Sequence, residues 1–178
     1  MHAEALTAAP RLAAALCSGL LLTTLPALAT ASCRQLLDDG LQPLPGCHLL
    51  AGQPVLDAQA RSQLRHDADG LAVILAEGDF YYVHRNGRLL QVATLDNGPD
   101  DFQLGLVRGI VAGRYGYYDH DLVQRIAPQF DGALPFDPDS GSAGVCQGCR
   151  AVPASADGQH SLLGGRHWRI DLHGQPLP

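Results

Sequence analysis

Lysine is absent from this 178-residue chain, glutamate occurs only twice, and all twelve cationic side chains are arginine. Sixteen of the eighteen acids are aspartate, a bias that records genome composition rather than a mechanism. Blocks of like charge are also missing: the net charge of −6 is dispersed along the sequence, which argues against nucleic acid as a partner. The chain carries no Gly-x-Ser-x-Gly, no His-Glu-x-x-His and no phosphate-cradling glycine loop, so the familiar enzyme signatures are lacking. Beyond residue 25 no run is apolar enough to cross a bilayer as a helix.

What is present begins with an apolar stretch over residues 12–25, preceded by Arg11 and followed by Pro26 and the small-x-small sites Ala27-Leu-Ala29 and Ala29-Thr-Ala31. That is the shape of a secretory signal peptide, here assigned to residues 1–31, and it is shorter than the roughly 18 residues a spanning helix needs. The expected compartment is therefore periplasmic or extracellular. Loss of the leader removes Cys17 and leaves Cys33, Cys47, Cys146 and Cys149, an even set suited to an oxidising environment. The small residues before Cys33 make a lipid anchor there the alternative, although lipidation would strand one of the four cysteines.

Cys33 and Cys47 bracket a proline-punctuated arm, residues 32–66, whose Gln35-Leu-Leu-Asp-Asp-Gly40 segment suits one short helical turn. Locality predicts that these two cysteines pair; the bridge would close a loop of about 15 residues and contribute about 3 kcal/mol. His48–Leu56 reads as strand-turn-strand, and Asp57–Asp67 as a short helix with Asp57 at its N-cap.

From residue 67 to 178 the pattern is β. Gly78-Asp-Phe-Tyr-Tyr-Val-His84, Gly113-Arg-Tyr-Gly-Tyr-Tyr-Asp119 and Gly165-Arg-His-Trp-Arg-Ile-Asp171 repeat one phrase. Each opens on a turn glycine and runs on at strand-like spacing, so the chain is expected to be all-β, in tandem hairpin units of about 70–102, 103–140 and 141–178. The first two phrases are 35 residues apart and the last two 52, with the surplus expected as a loop over Arg150–Gln159. Asn86-Gly87 predicts a tight type I′ hairpin.

The middle unit, from Gly105-Leu through Gly113-Arg-Tyr-Gly-Tyr-Tyr-Asp119 to Ile126-Ala-Pro-Gln-Phe-Asp131 and Pro135-Phe136, resembles the WG repeat of bacterial WG-repeat-containing proteins. The resemblance extends over about Gly70 to Leu177 and includes Asp96-Asn-Gly-Pro-Asp-Asp-Phe102 and Val145-Cys-Gln-Gly-Cys149, segments like those of exported members. Tyr115, Phe80 and His167 stand where the signature tryptophan would be, and only Gly116 keeps the glycine that follows it. The resemblance implies a β-rich repeat fold used as an interaction module, with a protein or cell-envelope component as partner.

Cys146-Gln-Gly-Cys149 is the sharpest local signal. It suits a structural disulfide; the alternatives are a thiol–disulfide redox pair or, with His160 and His167, a zinc site. Its flanks are strand-like and glycine-rich, whereas a redox pair normally opens a helix. Asp96, Asp100 and Asp101 offer oxygen ligands for calcium, yet their segment lacks the glutamate and spacing of an EF-hand and carries ordinary turn chemistry. The aromatics of the repeats suit a packed ladder; exposed members, with Tyr81 and Tyr117 as candidates, would form a glycan- or peptide-binding face. No residue is assigned a catalytic role.

Overall fold

The structure, a computed structural model, describes residues 33–95, 98–152 and 161–178. The predicted leader lies outside them. The arm opens with β1 (Cys33–Leu37) and β2 (Gly40–Pro43), followed by the hairpin β3 (Cys47–Leu50) and β4 (Gln53–Leu56) and by α1 (Ala58–Gln63). Then come β5 (Leu71–Ala76), β6 (Asp79–His84), β7 (Leu89–Val92) and the short pair β8 (Thr94–Leu95) and β9 (Gly98–Pro99). A second triplet comprises β10 (Val107–Val111), β11 (Arg114–Tyr118) and β12 (Gln124–Phe130). The C-terminal region holds β13 (Gly132–Ala133), β14 (Ala143–Gln147), β15 (Arg150–Val152), β16 (Ser161–Leu163) and β17 (Arg166–Ile170).

The fold is all-β, as the alternation predicts. One antiparallel sheet runs in the order β12-β11-β10-β7-β6-β5-β1-β2, so the first two triplets join edge to edge and the arm extends the same sheet through β1. Gln35–Gly40 is therefore strand and turn, not the helical turn expected from its composition. The reason is tertiary: β1 pairs β2 on one side and β5 on the other, so its backbone groups are satisfied in the sheet. Gln35 is buried, donating from Nε2 to the Arg65 carbonyl at 2.7 Å. α1 forms where Asp57 caps it, its Oδ1 accepting from the Ala60 amide at 2.8 Å.

β5 shows how the sheet is covered on both faces. Ala72, Ile74 and Ala76 join Tyr81 and Val83 in a core beneath the arm, with Cys33, Leu44, Cys47, Leu56 and Ala60. Leu71, on the opposite face, joins Phe80, Tyr82, Leu90, Val107 and Tyr118, with Val73 and Leu75 packed alongside. A third core, with Tyr117, Phe130, Phe136, Val145 and Ile170, lies between the second triplet and the separate sheet β13-β14-β17.

The internal repeat is written in the turns. Strands β5 and β6, and again β10 and β11, are joined through two residues of positive φ, Glu77–Gly78 (50° and 95°) and Ala112–Gly113 (50° and 73°), the type I′ geometry. The outgoing turns are of a second kind. At His84, Asp119 and Asp171 the backbone amide donates to the carbonyl four residues on (Arg88, Val123, Gln175), while the amide three residues on donates back. Asp119 and Asp171 add a carboxylate that accepts the Val123 and Gln175 amides at 2.8 Å. Asn86-Gly87 belongs to this second kind. Its side chain accepts from the Arg88 amide at 2.9 Å and only Gly87 has positive φ, so the tight I′ turn falls at Glu77–Gly78 instead.

In the third unit the I′ turn is split. Gln147 pairs with Arg166 as the strands close, and Gly148 and Gly165 both keep positive φ (69° and 70°), but residues 149–164 leave between them. That excursion carries its own strand pair, β15 and β16. It is where the surplus over the 35-residue period lies, at wider bounds than the sequence suggests.

Candidate functional site

Both disulfides expected from locality are present, Cys33–Cys47 and Cys146–Cys149. The first ties the arm to the sheet within one core, and it takes up the sulfur that a lipid thioether at Cys33 would need. The second stands at the root of the excursion, with Cys146 fully buried and Cys149 half-buried. A zinc site at Cys146, Cys149, His160 and His167 does not fit this form: neither sulfur is a free thiolate, and His167 Nε2 lies 2.7 Å from the Gly164 carbonyl. His160 lies outside the described residues. Among those described, no group of three or more histidine, cysteine or acidic side chains is placed to hold a metal.

The tyrosine candidates are corrected by burial. Tyr81 is 2% exposed and Tyr117 is fully buried, because the arm covers one and the C-terminal sheet the other. Tyr117 donates its hydroxyl to the Leu134 carbonyl at 2.7 Å, and Tyr82 donates to the Asp100 carbonyl at 2.9 Å. Burial pushes both phenols well above the ordinary tyrosine range, so each acts as a neutral donor. Neither presents a face to a ligand.

Asp100 is also withdrawn from the calcium set. It is 1% exposed and grips Arg108 in a bidentate pair, Nε to Oδ2 at 2.8 Å and Nη2 to Oδ1 at 2.7 Å. Arg108 Nη1 continues to the Ala133 carbonyl at 3.0 Å, so this buried pair fastens the main sheet to β13. Asp101 is exposed, and Asp96 lies outside the described residues. At the turn end of the sheet, His84 faces Asp121 at 3.5 Å and His120 faces Asp69 at 3.6 Å, with His120 stacked on Phe102. These contacts join neighbouring repeat turns.

A surface that sequence reasoning missed lies on the C-terminal sheet. Leu134, Gly144, Leu162, Leu163, His167 and Arg169 line an open groove of about 610 Å³, floored by β14 and β17 at Val145 and Trp168. Leu134 and Leu163 stand 47% and 52% exposed on its walls. Strand alternation places Gly144, His167 and Arg169 on one face, while Trp168 and Ile170 turn to the core. Trp168 there meets the edge of Phe130 and carries the Arg166 guanidinium 5.3 Å from its ring centre. The groove exists because Gly144 has no side chain: a Cβ there would come 3.3 Å from Leu134 Cδ1. Leu162, meanwhile, packs over Gly132 beside Cys146 Sγ, which anchors the excursion to the sheet.

The sequence held one usable signal for this surface. Where the first unit has Phe80 and Tyr82, the third has His167 and Arg169, so the aromatic ladder is broken on one face. No protein-family model matches the chain, and neither a curated protein nor a solved structure is significantly similar to it.

Proposed function

We propose that this chain is an exported, non-catalytic β-repeat protein of the WG-repeat kind, a binding or cell-envelope interaction module that acts in the periplasm or outside the cell. The groove over Gly144 carries this reading, since it is an open apolar surface beside cationic groups with no reaction centre among the described residues around it. The polar residues of the repeats are spent on turns, on the Asp100–Arg108 pair and on tyrosine hydrogen bonds to carbonyls. Two disulfides accord with an oxidising compartment, and no helix among the described residues is long and apolar enough to cross a membrane.

A second reading, a thiol–disulfide protein acting through Cys146 and Cys149, draws support from the half-exposed position of Cys149. Against it, both cysteines lie on or beside strands, without the helix N-terminus that would lower a thiolate pKa. Pull-down of envelope components with the mature protein tests the module reading. Partners retained by the native protein and lost on Gly144→Val are the expected result. Catalytic reduction of a disulfide substrate, abolished by Cys149→Ser, would replace it with the second reading.

A further inference from the structure

We propose that the groove over Gly144 binds an acidic, aliphatic-rich extended segment of a partner protein. This rests on the binding-module reading and names the chemistry of its ligand.

The argument begins with charge. The whole chain is at −6, yet β14 to β17, residues 143–152 and 161–170, hold Arg150, Arg166, His167 and Arg169 and no carboxylate. Folding pairs β14 with β17 and β15 with β16; alternation sets His167 and Arg169 on the groove face, while Arg166 turns to the other face against Trp168. Arg169 and His167 line the groove itself. Arg150 pairs across β15 and β16 with Leu163, which places both side chains on the same face of the excursion. Arg169 donates to the Ser140 hydroxyl at 2.7 Å and lies 3.9 Å from an Asp137 carboxylate oxygen; its guanidinium carries five donors, so an acidic ligand would share it with that exposed carboxylate.

Shape selects among anionic occupants. The apolar groups stand as walls, Leu134 beside Gly144, Leu162 over Gly132, and Leu163 with them, around a strand floor that is recessed at Gly144. An extended peptide can lower alternate aliphatic side chains between such walls while its acidic residues meet the arginines on the rim. A flat bilayer surface cannot reach a recessed floor. Sugar binding by ring stacking is disfavoured as well, because Trp168, the one aromatic among the described residues lining the groove, turns its ring into the core.

The test titrates the full-length, disulfide-intact protein with fluorescein-labelled Asp-Leu-Asp-Ile-Asp-Leu and reads anisotropy. We expect saturable binding, weakened at least about tenfold by Arg150→Gln with Arg169→Gln and weakened likewise by raised salt. Gly144→Val should block binding while far-ultraviolet circular dichroism stays unchanged, since only the tip of an exposed leucine must give way. Equal binding of Asn-Leu-Asn-Ile-Asn-Leu would overturn the charge argument, and undiminished binding by Gly144→Val would overturn the location. Binding to vesicles of anionic phosphatidylglycerol with none to the peptide would replace the peptide by a membrane surface and leave the module reading standing. If neither probe binds and envelope pull-down is also empty, both the ligand and the module reading fall. If pull-down succeeds equally with Gly144→Val, only the groove falls.

Discussion

Tyr82 and Arg169 occupy the same place in the repeat, four residues after the turn glycine, and live in opposite environments. In the first unit both faces of β6 are covered: Phe80 and Tyr82 pack into one core, Tyr81 and Val83 into another. In the third unit β17 buries Ile170 and half-buries Trp168, while His167 and Arg169 remain exposed. The two units share a turn grammar down to individual backbone hydrogen bonds, as His84 and Asp171 show. The difference teaches that the repeat specifies hairpins, and neighbours specify burial. Where the arm and the adjoining triplet supply covers, the strand is doubly apolar; where the described chain leaves a face open, that face has become charged.

The largest test of this contrast is paired truncation. Tyr82→Ala should cost about 4 kcal/mol, through lost packing and an unanswered Asp100 carbonyl, whereas Arg169→Ala should cost under about 1 kcal/mol. Urea midpoints would show it, and equal costs would erase the distinction between the units. Next is the joint between the two sheets: Asp100→Asn should destabilise by about 3 kcal/mol, because Arg108 remains buried without its carboxylate. Replacing the pair together with Leu and Met should recover part of that loss in the same assay.

The disulfides separate the regions more finely. Replacing Cys33 and Cys47 with alanine should cost about 3 kcal/mol and release the arm, and replacing Cys146 and Cys149 about 2 kcal/mol. Hydrogen exchange should place the second effect in residues 161–170, with β5 to β7 still protected. Removing one turn carboxylate, Asp171→Ala, should cost about 1 kcal/mol, confined to the C-terminal hairpin.

The smallest effect is a pH dependence at the loop before β14. The Ser140 hydroxyl, then the Asp139 amide, donates to Asp137 and holds its carboxyl below the ordinary carboxylate range. A folded pKa below the unfolded one means that this contribution is complete above the ordinary carboxylate range and is lost as pH falls through the lowered value. Asp137 is exposed, so the change should appear as a slight local loosening on acidification, absent in Asp137→Asn.

Much of the fold was legible because its signals are local. Period-two apolar residues, x-Gly turns and short cysteine separations each report on a few neighbouring residues, and the strands, the Asp57 cap and both disulfides followed from them. Readings failed where a distant segment decided. Gln35–Gly40 carries helix-compatible residues but becomes strand because β5, more than thirty residues on, offers an edge. Asn86-Gly87 suits a tight turn, yet the register of β6 against β7 requires a longer one.

By itself the sequence determined the hairpin vocabulary, the repeat period, the absence of lysine and of charge blocks, and the cysteines near enough to pair. Tertiary structure alone decided that Tyr81 and Tyr117 are core, that Asp100 serves Arg108, and that His167 and Arg169 flank a glycine floor. The physical reason is that turn geometry and alternation act within a few residues, whereas burial and charge clustering depend on which strands lie side by side, a choice made by contacts far apart in the chain.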